Sequence, residues 1–429
     1  MAEARAAAEV RLWGQVVGAV AELENGVVLF EYTDAFRRSG LEMSPVHLPL
    51  SLAGQVRFPE LLRSEAFEGL PGVLADSLPD RFGNRVIEGF FKAKGRPTSD
   101  LTPVQKLLYV GERAMGALTF HPADELSLRA PEEEALELAD LVRDARRIIE
   151  GDVRVAVPEI YRIGSSAGGA RPKALVLHDP STVLIRSGHA QPRPGEMRCI
   201  LKLDGVGDGS TLSDLGRPLP FNRIEVAYMR MAAEAGLDVA HADLLAADGY
   251  AHILIRRFDL SGDERIHQHT LGGLLHLDYN IPGLSSYEEF LRTALRIGLT
   301  PDGVLEGFRR MVFNVMAVNQ DDHVKNLSFQ MRPDGVWRLA PAYDLTFARG
   351  SGYTRRHQMA VNGKTAGISR EDLLEVARTL GVKRPLGILA RIRECLGRWA
   401  TTAAEAGVPP GDVRRIGEEL EARRREIES

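Results

Sequence analysis

The chain has 429 residues, 44% of them hydrophobic, which is material for two or three domains rather than one core. Its 54 Lys and Arg against 59 Asp and Glu give a net charge of -5, which excludes a polybasic nucleic-acid coat. No run of about 18 apolar residues marks a membrane span, and Cys199 and Cys395 form neither a metal-ligand spacing nor a disulfide framework, so a cytoplasmic setting is expected. The opening MAEARAAAEVRLW has acids near its start and no continuous apolar core, and is not expected to serve as a signal peptide.

Over residues 10–32, β-branched and aromatic residues alternate around Glu24-Asn25-Gly26, whose Asn-Gly suits a turn with positive φ, and this predicts a hairpin. A short strand is expected at 44–50 and a helix at about 80–92. Mixed elements to about residue 125 make a small α+β domain without a catalytic cluster, suited to docking or to a lid. Residues 131–149, acidic early and basic late, are expected to form an amphipathic helix.

The segment GSSAGGARPKALVL, 164–177, places glycine-rich backbone before an apolar strand. Small residues let main-chain N–H groups approach phosphate oxygens, so the segment suits a phosphate-covering loop; a plain surface turn is the alternative. Next comes a strand at 198–203 in which Lys202 stands among apolar neighbours. Kept charged there, it needs an anionic partner, either a carboxylate or a nucleotide phosphate, unless its tail reaches solvent. A helix at 222–235 carries Glu225 near its start, and strands at 239–246 and 251–257 follow, the second ending in RRFDL. Helices then predominate, at 287–297, 302–318, 369–380, 385–406 and 411–426, with a hairpin of 327–331 and 336–339 turned by Pro333-Asp334-Gly335. A β-rich part followed by a helical part predicts an α+β chain of two lobes with a ligand cleft, divided as 1–125, 126–260 and 261–429.

The polar motifs sit after the apolar run 312–318, which delivers Asn319, Asp321, Asp322, His323, Lys325 and Asn326 together. Asn326 stands five residues after Asp321, the interval at which protein kinases and their relatives place a carboxylate near the acceptor hydroxyl and an amide on the metal. A helix end followed by a polar turn is the alternative. A second apolar stretch ends in Tyr343 and Asp344, within APAYDLTF. The histidines His252, His267, His269 and His276 show no spacing that compels a metal site and are expected to be structural.

In this order, SSAGGARPK, ILKL, RRFD, DDHVKN and YDL resemble the HipA-type serine/threonine-protein kinases, the toxin subunits of type II toxin–antitoxin systems; WGQVVGAV and LPGVLADSLPDRFGN resemble that family's N-terminal region. The resemblance implies a two-lobed, protein-kinase-like fold that transfers the γ-phosphate of ATP, with Mg2+, to a Ser or Thr of a protein. It implies that Asp321 is the catalytic aspartate, chosen over Asp322 because only Asp321 has the five-residue interval, with Asp322 a solvated or helix-capping neighbour. Asn326 and Asp344 would hold magnesium, and His323, Lys325 and Tyr343 would lie around the nucleotide. Lys202 would hold the α/β-phosphates with Glu225 as its orienter. The main chain of Arg256, Arg257 and Phe258 would meet the adenine, leaving both arginine side chains as surface charges, and Gly168, Gly169, Ala170, Arg171, Pro172 and Lys173 would cover the phosphates. Ser166, with Ser165 beside it, matches the family's autophosphorylated loop serine. The implied partners are a protein substrate of the aminoacyl-tRNA synthetase kind and a small helix-turn-helix antitoxin, with DNA reached only through that antitoxin and no membrane. A small-molecule phosphotransferase and a non-catalytic corepressor are the alternatives.

Overall fold

A computed structural model describes residues 4–93, 95, 97, 101–123, 135–136, 138–150, 172–182, 184–206 and 216–428. The chain divides into two compact units, Met1–Leu219 with Ala242–Gln268, and Pro220–His241 with His269–Ser429. Among the described residues no helix is long and apolar enough to cross a membrane.

The first unit begins with a four-stranded antiparallel sheet in the order Val28–Tyr32, Gln15–Leu23, Ala4–Leu12, Leu118–His121. Every second residue of the Ala4–Leu12 strand, Ala6, Ala8, Val10 and Leu12, is buried, as the two-residue period of a half-covered strand requires. Asn25-Gly26 turns the expected hairpin, with Gly26 at φ 78° and the Asn25 side chain accepting from Val27 N at 3.1 Å. That hairpin is part of a meander, because Trp13 and Gly14, at φ 49° and 80°, turn the chain once more. A tryptophan at positive φ carries no turn signature, so this turn has no local signal in the sequence. Gly18 is required by close approach: a Cβ there would lie 2.1 Å from the Glu31 carbonyl oxygen of the neighbouring strand. The strand expected at 44–50 is not formed. Those residues make turns, and Met43 and Leu48 are buried as anchors. The Tyr32 hydroxyl donates to the Leu48 carbonyl at 2.6 Å.

A six-stranded antiparallel sheet follows, in the order Ala135–Leu136, Ile185–Ser187, Lys173–His178, Met197–Lys202, Tyr250–Arg256, Ala242–Ala247. The helices Arg81–Ala93 and Leu138–Ile149 share one core with it, through Phe82, Phe91, Leu141 and Ile148 against Val176, Leu201 and Leu254. The helix expected at 131–149 starts only at Leu138; Ala135–Leu136 is an edge strand, and 131–134 lie outside the described residues.

RRFDL closes this unit differently from expectation. Arg256 is exposed, but the Arg257 side chain is buried and forks onto the fully buried Asp259, at 2.9 Å and 2.6 Å. Gly116 N donates to the same carboxylate at 2.9 Å. Burial opposes the charge on Arg257, but the Asp259 carboxylate outweighs it and raises the guanidinium pKa; burial likewise opposes the charge on Asp259, and Arg257 holds that carboxyl below its usual value. A surface role for Arg257 is therefore wrong, because it serves as the counter-ion that permits a buried aspartate.

The second unit is mainly helical: Phe221–Glu234, Tyr287–Arg296, Pro301–Met316, Arg370–Thr379, Pro385–Leu396, Trp399–Glu405 and Pro410–Glu428. Side-chain caps set several starts: Ser286 accepts from Glu289 N, Thr300 from Gly303 N, and Ser369 forms a reciprocal box with Asp372. Pro301–Met316 is the central helix, with Phe308, Met311, Val312, Phe313 and Val315 buried. Gly307 lets it cross Tyr287–Arg296 closely, since a Cβ would meet Leu291 Cδ2 at 2.5 Å. The single helix expected at 385–406 is broken at Gly397-Arg398, which turns Trp399 inward to place its ring 5.4 Å from Tyr228 and its Nε1 2.8 Å from the Val413 carbonyl. Ser328–Met331 and Trp337–Leu339 form the expected hairpin.

Asp259→Ala would leave the Arg257 guanidinium buried without its carboxylate. Stripping one partner from a buried pair costs about 3–5 kcal/mol, so urea unfolding of this variant should show a loss of that order, whereas Arg256→Ala should stay within about 0.5 kcal/mol of the parent.

Candidate functional site

The polar cluster is built on the C-terminus of Pro301–Met316. Val318 adopts φ 55°, a left-handed conformation rare for a β-branched residue. It turns the chain so that Asn319 N donates to the Asn314 carbonyl and Asn319 Nδ2 to Asn314 Oδ1, both at 3.0 Å. Asn314 Nδ2 in turn donates to the Tyr287 hydroxyl at 2.9 Å, so the helix end is tied to the start of Tyr287–Arg296.

Asp321 and Asp322, adjacent in sequence, meet opposite environments. Asp322 is 2% exposed. Its Oδ2 accepts from the Tyr287 hydroxyl at 2.9 Å and lies 2.8 Å from His357 Nδ1, and its Oδ1 accepts from Gln358 N at 2.7 Å. The expectation of a solvated or capping neighbour is therefore corrected: a carboxylate this deep is held only because donors from separate segments converge on it. Gln358 extends the clamp, its Nε2 donating to the carbonyls of Tyr353, Arg356 and Gln320 at 2.7, 3.0 and 3.2 Å.

Asp321 is half-exposed and accepts from the Tyr353 hydroxyl at 3.0 Å. Burial pushes its carboxyl above the ordinary aspartate value of 3.8; the Asp344 and Asp322 charges push the same way, while His323 and the Tyr353 hydrogen bond hold it back. His323 Nε2 stands 3.8 Å from Asp321 Oδ1, and burial pushes that imidazole below its usual value of 6.5 while the Asp321 and Asp344 carboxylates oppose the shift. Lys325 lies over the Tyr279 ring, its Nζ 4.8 Å from the centroid. The Asp321–His323–Lys325 stretch thus puts a carboxylate of raised pKa beside an imidazole and a lysine.

Asn326 Nδ2 donates to the Asp321 carbonyl at 2.9 Å, and that commitment turns the amide oxygen the other way. Tyr343 secures the same turn: its hydroxyl donates to the Lys325 carbonyl at 2.6 Å and accepts from Ser328 Oγ at 2.5 Å. Asp344 has φ 52°, a left-handed conformation that aspartate tolerates better than most residues. A cavity of about 10 Å³ is lined by Asn314, Asn319, Asp322, Asn326, Tyr343 and Asp344 among others. Asn319 Oδ1 is buried there without a hydrogen-bond partner among the described residues. The amide oxygen of Asn326 and the Asp344 carboxylate are hard oxygen donors. Magnesium takes one or two such protein ligands and leaves its other positions to water and phosphate, so these two residues fit it. Among the described residues no group of three or more His, Cys, Asp or Glu could hold a metal by itself.

In the first unit Lys173 and Lys202 are direct cross-strand partners on adjacent antiparallel strands, 7% and 5% exposed. The Pro172 carbonyl accepts from Leu203 N at 3.1 Å, which pins the strand end beside them. Ser165, Ser166, Gly168, Gly169, Ala170 and Arg171 lie outside the described residues. Glu225 is buried on Phe221–Glu234 in the second unit. Arg257 N donates to the Arg198 carbonyl at 3.0 Å, so this amide is committed within its own unit, and Phe258 is half-buried. The histidines His252 and His267 are buried and bonded: His252 Nδ1 accepts from Asp204 N at 3.1 Å, and burial lowers its pKa to about 4, while His267 Nε2 lies 2.9 Å from the Met43 carbonyl. Sequence reasoning missed Tyr287, Tyr353, His357 and Gln358, which reach the site from segments with no motif spacing to it.

Comparison with known proteins bears on this arrangement. The family model described as HipA-like C-terminal domain matches residues 165–425, and that described as HipA N-terminal domain matches residues 8–121. A Sinorhizobium fredii protein bearing the name "Putative kinase Y4mE" is 28% identical over 353 residues, covering 77% of this chain and 75% of its own. A second from the same organism, "Putative kinase Y4dM", is 24% identical over 414 residues, covering 91% and 90%. Among solved structures, HipA of Shewanella oneidensis MR-1, in a complex of HipA, HipB and operator DNA, matches with a TM-score of 0.68 at 18% identity, over 98% of this chain and 97% of that one, which shows a common fold.

If Asp322 is the clamp for residues 353–358, Asp322→Ala should release them. The loss of its bonds to Tyr287, His357 and Gln358 should cost about 2–5 kcal/mol, read as a lower urea midpoint, and trypsin should cut after the exposed Arg355 and Arg356 several-fold faster than in the parent.

Proposed function

The chain belongs to the HipA family, and on that premise we propose that it is a protein kinase that transfers the γ-phosphoryl group of ATP to a serine or threonine hydroxyl, with magnesium. The observation that carries the reading is the division of labour around one turn. Asp321 is half-exposed, basic for an aspartate and within reach of a hydroxyl, while Asn326, hydrogen-bonded to the Asp321 main chain, lines a polar cavity with Asp344.

In this reading Asp321 orients the acceptor hydroxyl and takes its proton. Asn326 and Asp344 hold magnesium, which when bound neutralises charge on the phosphates. The hydrogen bond from Asn326 to the Asp321 carbonyl couples the metal ligand to the base, so the two keep their spacing. Lys202, buried on its strand beside Lys173, is the proposed lysine for the nucleotide phosphates. Phosphoryl transfer asks mainly for positioning and charge neutralisation, which these groups supply.

By family the chain is further proposed to be the toxin of a toxin–antitoxin pair, with a HipB-like antitoxin as partner and DNA contacted through it. The HipA–HipB–operator DNA complex of the Shewanella relative supports that partner. Translation enzymes of the aminoacyl-tRNA synthetase kind are the proposed substrates. Phosphorylation of Ser166 or Ser165 would add about -1.5 to -2 charges to a loop meant for phosphates and so silence the site.

With γ-labelled ATP, Asp321→Ala should lower transfer to protein by about 10²–10⁴-fold, the usual contribution of a general base, with an unchanged urea midpoint; equal transfer would overturn the assignment. Because Asp321 must be unprotonated to act and its carboxyl is raised above 3.8, activity should fall on acidification at a higher pH than an ordinary aspartate would give. The pH profile of kcat/KM checks this.

A further inference from the structure

The Tyr353 hydroxyl donates to Asp321 Oδ1 at 3.0 Å, although the residue is 58% exposed. The ring is mostly exposed, and its hydroxyl makes a charge-assisted hydrogen bond to the carboxylate. In the reading proposed above, on which this inference rests, Asp321 exists to receive a hydroxyl from outside the chain. A hydroxyl of the chain itself already stands at that distance. We infer that Tyr353 is an acceptor-side gate: it occupies on Asp321 the place that an acceptor hydroxyl needs, and an acceptor binds only by displacing it.

The surrounding backbone is arranged for a side chain to move while its loop stays. Upstream, Ala348 N donates to the Val318 carbonyl at 3.1 Å and Gln320 N to the Ala348 carbonyl at 2.9 Å. Downstream, Gln358 N is fixed on Asp322, and the Gln358 side chain holds the Tyr353 carbonyl itself at 2.7 Å. The main chain of Tyr353 is therefore pinned on both sides, and rotation of its exposed side chain is enough to open the carboxylate. Such rotations are fast for exposed residues, so the gate sets the fraction of open sites without a slow step. Arg355 and Arg356 are exposed on the same turn and give the opening a basic rim, which favours acceptor segments with acidic residues near the hydroxyl.

The test uses the full chain and two independent readouts. For the first, wild type and Asp321→Ala are treated with tetranitromethane, and nitration of Tyr353 is followed by peptide mass spectrometry. A hydroxyl held by a carboxylate is protected, so Tyr353 should react at least about threefold faster in the variant; equal rates would overturn the gate. For the second, Tyr353→Phe, which keeps the ring and removes the hydroxyl, is compared with wild type in transfer from γ-labelled ATP to dephosphorylated casein, an acidic hydroxyl-bearing acceptor. The KM for casein should fall by about three- to tenfold, because the closed fraction no longer taxes binding, and the gain in kcat/KM should be carried by KM; an unchanged or higher KM would overturn the gate. The nitration comparison needs no catalysis, so equal rates would overturn the gate whatever the transfer assay shows. A wild-type chain that labels neither casein nor itself counts against the kinase reading alone.

Discussion

A single buried carboxylate organises the second unit around its site. Asp322 cannot remain charged in the interior without donors. The chain brings them from the start of Tyr287–Arg296 and from His357 and Gln358. Meeting that demand fixes the helix end at Val318, the loop through Gln358, and the main chain of the turn from Asp321 to Asn326. Asp321 is free to face outward because its neighbour faces inward. The chemistry of the site is thus a consequence of a structural requirement one residue away.

The same device recurs in the first unit, where Arg257 and Asp259 bury a charge pair and Gly116 N completes it. In both units a charged residue next to a proposed functional one acts as a fastener.

The legibility of these features in sequence follows from their range. Helices and strands with strong periodicity, the Asn25-Gly26 turn and the Asp321–Asn326 interval are local patterns, and they lie close to where the sequence places them. The family resemblance was legible in motifs spread along the chain, and the matched family models bear out the family. The clamp on Asp322 could not be read, because its partners stand 35 and 36 residues away in the chain in the case of His357 and Gln358, and no local spacing encodes that. The burial of Arg257, the Trp13-Gly14 turn and the helix break at Gly397 are also set by tertiary packing, which overrides the local preference of residues 385–406 for one helix. At 44–50 the expected strand is replaced by turns, with Leu48 buried and its carbonyl accepting from the Tyr32 hydroxyl.

The division of the carboxylates is open to direct observation. Crystals grown with Mn2+ and a non-hydrolysable ATP analogue would show the metal by its anomalous scattering. A peak bound by the Asn326 amide oxygen and the Asp344 carboxylate, with Asp322 still held by Tyr287 and His357, is the predicted result. A metal shared by Asp321 and Asp322 would contradict it, since Asp322 would then have left the donors on which the whole arrangement is built.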